Sequence, residues 1–141
     1  GKDLFIMKIL GIKEVNQRLP LIKPITLDIQ RMWSVIMEQK EKSEKMEDGD
    51  AKDQLLKELK NNIDKINGYI KEVEQLDGLM ASFNSGEVHF TSLYHGRKIF
   101  LCVLPLEEEN VQYFHELDET FADRIQIDNH VLQTCKEYEK K

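Results

Sequence analysis

Residues 54–76 read QLLKELKNNIDKINGYIKEVEQL, and Leu56, Leu59, Ile63, Ile66, Ile70 and Val73 within and around this stretch alternate spacings of three and four without a break. That is the period of one face of an α-helix, sustained long enough to make a heptad seam. The seam runs on through Leu76 and Met80, and Leu55, Tyr69 and Leu76 give the helix a second apolar flank. Gly68, inside the pattern, costs about 1 kcal/mol relative to Ala and suits a close helix approach. Upstream, Ile22, Ile25, Ile29, Met32, Trp33 and Ile36 repeat the helical spacing. Pro20 is expected to interrupt a short helical turn over residues 14–19, with a long helix starting after it and Pro24 in its first turn. Between the two stripes, residues 38–53 are mostly Glu, Lys, Asp and Ser around Gly49, which predicts a helix end and a mobile turn. Two helices joined this way cover each other's stripes by running antiparallel, so a long helical hairpin is expected over about residues 20–77. The second flank then needs a sheet or another copy of the chain to cover it.

Downstream the period changes to two. In residues 86–104, GEVHFTSLYHGRKIFLCVL, Val88 and Phe90 alternate with Glu87, His89 and Thr91, the pattern of a half-buried strand. Tyr94, His95 and Gly96 supply a turn. The following strand, Arg97 to Leu104, is apolar on both faces from Ile99 onward and is therefore expected at the centre of a sheet. A third strand is expected over 111–116, with Tyr113 and His115 on one face and Phe114 and Glu116 on the other. Residues 79–83 read as a fourth strand or as the last helical turn, and the turn residues Asn84, Ser85 and Gly86 favour the strand. The fold class expected is α+β: a long antiparallel helical hairpin packed on a small antiparallel β-meander of three or four strands. Residues 1–141 make one domain, with the β-subdomain at about 79–127. Residues 4–10 form a short strand or an arm, and residues 129–141 a short polar helix.

Composition sets outer bounds. The 141 residues carry 26 acidic and 20 basic side chains, a net charge of -6, which disfavours general binding to a phosphate backbone. Cys102 and Cys135 are too few for a disulfide framework or a zinc knuckle and fit a reducing compartment. No long apolar run or signal pattern is present, so a soluble cytoplasmic protein away from membranes is expected.

Candidate chemistry is sparse. His115 and Glu116 point to opposite faces of their strand, so any polar cluster at His115 must recruit Arg97 or His89 from neighbouring strands, with Asp118 or Arg124. Arg97 follows a turn glycine and suits a bidentate pair with a carboxylate such as Glu116. Cys102, in the doubly covered strand, reads as a small buried hydrophobe. No HxxxH, HxH or CxxC spacing selects a metal, and no phosphate cradle or catalytic triad spacing appears. The candidate ligand-binding residues are accordingly Arg97, His115, Glu116 and Arg124, with no catalytic residue, metal or cofactor expected.

The pieces Gly86-Glu87-Val88-His89-Phe90, Gly96-Arg97, Leu101-Cys102, His115-Glu116 and Phe121-Ala122-Asp123-Arg124 resemble, in order and spacing, the signature of a bacterial family known as Domain of Unknown Function 2203. Residues 14–20, EVNQRLP, are similar to the motif that opens that family. The resemblance covers about residues 5–127. This chain departs from the pattern with His89 for Asp, Thr91 for Pro, Val103 for Trp, Leu104 for Arg, Phe114 for Trp and Asp123 for Gly. The family implies no reaction or ligand. The function expected is therefore a non-enzymatic interaction or scaffold module, acting through a homo-oligomer or a protein partner. The alternative is a small-ligand or anion site, enzymatic or not, on the sheet around Arg97 and His115.

Overall fold

The buried positions Ile12, Val15, Leu19, Ile22, Thr26, Ile29 and Ile36 are spaced by three, four or seven residues. This stripe crosses both prolines, and in the computed structural model, which describes residues 7–128, the chain beneath it is one helix, α1 (Ile12–Glu44). The interruption expected at Pro20 does not occur. Pro20 and Pro24 lie on the exposed side of α1, where each withholds an N–H from the carbonyl four residues earlier. That loss costs about 3 kcal/mol per proline. Burying the stripe, at roughly 1.5–3 kcal/mol per large side chain, outweighs it.

A connection ending at Gly49 leads to α2 (Asp50–Gln75). Its packed face is rotated from the expected seam. Leu59, Ile66, Ile70 and Val73 face inward as expected, but Tyr69 and Leu76 join them, while Leu56 and Ile63 stay 41% and 40% exposed. Both stripes share the same seven-residue repeat and differ only in which neighbour flanks it. The stripe chosen contains the polar Asn62, whose Nδ2 donates to Gln39 Oε1 of α1 at 2.9 Å. At the other end of α2, Arg18 pairs with Asp77 at 3.1 Å. A Cβ at Gly68 would meet nothing within 4 Å, so that glycine serves no close approach.

Five strands follow, β1 (Gly78–Ser82), β2 (Glu87–Tyr94), β3 (Arg97–Val103), β4 (Tyr113–Glu116) and β5 (Ile125–Gln126). They lie in chain order as one antiparallel sheet, with five members where three or four were expected. The extra strand, β5, is two residues long and carries no pattern of its own. The β2–β3 turn is two residues, His95 and Gly96, both at positive φ, the geometry whose twist matches the strands it joins. As its apolar run requires, β3 is central, and Ile99 to Val103 are all buried. Of the expected N-terminal arm, the described part is not a strand. Leu10 is fully buried and its N–H donates to the Thr91 carbonyl, just past the last β1–β2 pair. The expected C-terminal helix lies outside the described residues.

Strand alternation divides the sheet residues into two sets. Val88, Phe90, Ile99, Leu101, Val103 and Phe114 join the helix stripes in one core. Glu87, His89, Thr91, Phe100, Cys102, Tyr113 and His115 belong to the opposite face. Among the described residues no helix is long and apolar enough to cross a membrane.

Candidate metal centre

Glu87 and His89 are two apart on β2 and so project from the same face, the one turned away from the helices. His115 on β4 projects there too, because its partner Phe100 on β3 lies in the same alternation as Cys102, the partner of His89. The two imidazoles reach toward each other across the intervening strand. Their ring centroids are 4.8 Å apart in an edge-on arrangement, and both rest against Phe100.

The donor atoms converge. His89 Nε2 lies 3.3 Å from His115 Nε2 and 2.5 Å from Glu87 Oε2. Ligand atoms of all three residues fall within 4.8 Å of one another. The cluster is sheltered, with His115 fully buried and the side chains of His89 and Glu87 only 15% and 10% exposed. His115 Nδ1 lies 2.8 Å from the Glu116 carbonyl, which can only accept. The ring proton is therefore assigned to Nδ1, and Nε2 presents its lone pair to the cluster. An imidazole oriented by a backbone carbonyl in this way is the usual support for a metal-ligating histidine.

The spacing suits a small divalent cation. With bonds of about 2.0–2.1 Å to nitrogen and oxygen, two ligands on a tetrahedral ion stand about 3.3 Å apart. The two histidine nitrogens already have this separation. The shorter Glu87–His89 contact holds a proton that a cation would displace, opening the pair by under about 1 Å. Two imidazoles and one carboxylate leave one coordination position for solvent or a ligand.

Cys102 sits beside His89 in the β2–β3 register, fully buried. Burial pushes its thiol up to about 12, and the negative charge of Glu87 adds to the effect. It is a neutral neighbour at physiological pH rather than a nucleophile.

The four residues expected from sequence to form a site separate into two pairs. Arg97 and Glu116 belong to the helix-side alternation at the end of the sheet and hold each other. Nε donates to Oε1 at 2.6 Å and Nη2 to Oε2 at 3.1 Å, with the guanidinium also 4.9 Å from the Tyr94 ring centre. This pairing raises the guanidinium of Arg97 and lowers the carboxyl of Glu116. His115 lies on the other face, and Arg124 stacks above Tyr113, two residues from His115 on the same strand. His89 was expected only as a residue that a cluster at His115 could recruit, and Glu87 was not expected at the site. The signal for them was present: two potential ligands at a spacing of two in a strand share a face.

No curated protein and no solved structure matches the chain significantly. A family model does, that of the uncharacterized conserved proteins DUF2203, over residues 8–127. The matched span takes in α1, α2 and the whole sheet, and the chain belongs to this family.

Proposed function

We propose that this chain binds a divalent transition metal through Glu87, His89 and His115, with one position left for an exchangeable ligand. The observation that carries the reading is the convergence of the three donor atoms in a sheltered cluster, with the His115 lone pair directed into it. The nitrogen and oxygen donors suit Zn²⁺ or its divalent first-row neighbours better than Ca²⁺ or Mg²⁺. Calorimetric titration of metal-free protein with Zn²⁺ tests it. About one equivalent is expected to bind, and at a free concentration 100 times Kd it should add about 2.7 kcal/mol of stability. For a chain of this size that is a rise in Tm of about 5–10 °C. His89→Ala and Glu87→Gln should each weaken binding by at least tenfold. Equal Zn²⁺ affinity in wild type and both variants would refute the assignment.

A second reading concerns α1 and α2, taken as an antiparallel hairpin whose outer side pairs with a second copy of the chain. Antiparallel running is supported by the contacts of Arg18 with Asp77 and of Gln39 with Asn62. Self-association is favoured by Leu56 and Ile63, which lie seven residues apart outside the packed seam and are exposed. Sedimentation equilibrium should give a dimer that Ile63→Glu dissociates. A monomer at every concentration would overturn this reading.

A further inference from the structure

Arg124 is held in an unusual way for a cation with so little to bond. Its guanidinium carbon lies 3.9 Å from the Phe121 ring centre and 4.6 Å from that of Tyr113. Nη1 donates to the Phe121 carbonyl at 3.1 Å, while Nε is buried and has no acceptor among the described residues. A buried donor left unpaired is costly, and a charged one more so. Among the described residues no acidic group hydrogen-bonds to it. Asp123 turns to the Thr120 N–H and hydroxyl at 3.0 and 3.1 Å. Glu108 accepts from the Leu104 N–H through Oε1, and its Oε2 is likewise buried without a hydrogen bond among the described residues. Burial is the largest influence on Glu108 and pushes its carboxyl up, while the Leu104 N–H and the positive charge of Arg124 oppose the shift.

This cation faces the cluster described above. Tyr113, beneath it, stands in the cross-strand row His89–Cys102–Tyr113, and on its own strand it is two residues from His115, about 7 Å along the same face. Cys102, in the middle of the row, feels Glu87 from one side and Arg124 from the other. The register Phe114↔Ile125 puts Arg124 next after the last β4–β5 pair, in the row of His115.

Resting on the metal reading of Glu87, His89 and His115, we infer that the exchangeable position takes an oxyanion of the phosphate or carboxylate type, one oxygen on the metal and another on the guanidinium of Arg124. The contacts with the rings of Tyr113 and Phe121 and the bond from Nη1 to the Phe121 carbonyl restrict the guanidinium, which lowers the cost of ordering it on such a group. Arg124 is thus a binding residue of the site rather than a structural ion pair.

The test begins with Zn²⁺ titration of wild type, Arg124→Gln and Arg124→Lys, whose zinc affinities should agree within about threefold because none removes a ligand. Each protein, metal-free and stoichiometrically zinc-loaded, is then titrated with inorganic phosphate and, separately, acetate. Zinc-loaded wild type should bind at least one of the two anions at least tenfold more tightly than either metal-free wild type or zinc-loaded Arg124→Gln, with Arg124→Lys in between. The preferred anion distinguishes a phosphate from a carboxylate ligand. Anion binding that ignores zinc or Arg124, or none by zinc-loaded wild type, overturns this inference while leaving the metal reading intact. Failure of wild type to bind zinc overturns both.

Discussion

Replacing Pro20 by Ala should stabilise the protein. Pro20 is the ninth residue of α1 and lies on its exposed side, so the change opens no core cavity. It supplies the N–H that the Asn16 carbonyl lacks and removes the ring from the helix interior, where Pro is about 3 kcal/mol less favourable than Ala. Against this, the unfolded chain regains freedom worth about 0.4–1 kcal/mol. The net gain is about 2 kcal/mol, or a rise in Tm of about 4–8 °C for a chain of this length. Urea denaturation followed by helix circular dichroism measures it, with an increased midpoint at unchanged slope expected. The cleft of about 420 Å³ that Pro20 lines with Asn16, Leu19, Lys23 and Glu108 provides an internal contrast. If Pro20→Ala destabilises the chain, the proline sets the shape of α1 against this cleft, and the claim that the buried stripe alone carries the helix across Pro20 is refuted.

Two glycines should respond with opposite sign: Gly68→Ala, facing open space in α2, gains up to about 1 kcal/mol, whereas Gly78→Ala loses about 1–3 kcal/mol because its Cβ would sit 2.9 Å from Val88 Cγ1 and 3.0 Å from Val73 Cγ1. Thermal denaturation of both variants checks the pair, and equal shifts would contradict the packing described. Because Arg97 lowers the Glu116 carboxyl, the stability their pair contributes is present above the unfolded carboxyl's titration range and is lost as pH falls through the lowered folded value. Arg97→Gln should raise the Glu116 titration seen by carboxyl NMR, and an unmoved titration would show that another group sets it. Cys102, with its thiol near 12, should resist iodoacetamide at pH 8 until the chain unfolds, as read by peptide mass mapping. Rapid labelling in the native state would count against its burial.

What could be read in the sequence followed from how strongly each pattern was over-determined. The central strand β3 was legible because an apolar run covering both faces has one comfortable place in a sheet, and the turn at His95 and Gly96 because few residues accept its geometry. The family resemblance, too, was legible in the ordered pieces from Gly86 to Arg124, and the family match agrees with it. Pro20 misled because the local rule against proline is strong, while the stripe from Ile12 to Ile36 that overrides it acts only once a sheet is there to pack against. The α2 face was misjudged by counting apolar residues: Leu56 and Ile63 outscore Asn62, yet Asn62 faces the seam because Gln39 offers it a hydrogen bond. The site was half visible. His115 stood out and His89 was legible as a residue it could recruit, but Glu87 read as part of the solvent-side half of an alternating strand, since alternation cannot tell that the outer face of the sheet is itself sheltered. Arg97 and Glu116 drew attention as charged residues near a turn, and they are committed to each other.

X-ray absorption at the zinc edge of the stoichiometrically loaded chain tests the metal centre most directly. A first shell of nitrogen and oxygen at about 2.0–2.1 Å, with the outer-shell scattering of two imidazoles that drops to one in His115→Ala, is the predicted result. A sulfur neighbour at about 2.3 Å, or a shell of oxygen alone that His115→Ala leaves unchanged, would contradict it.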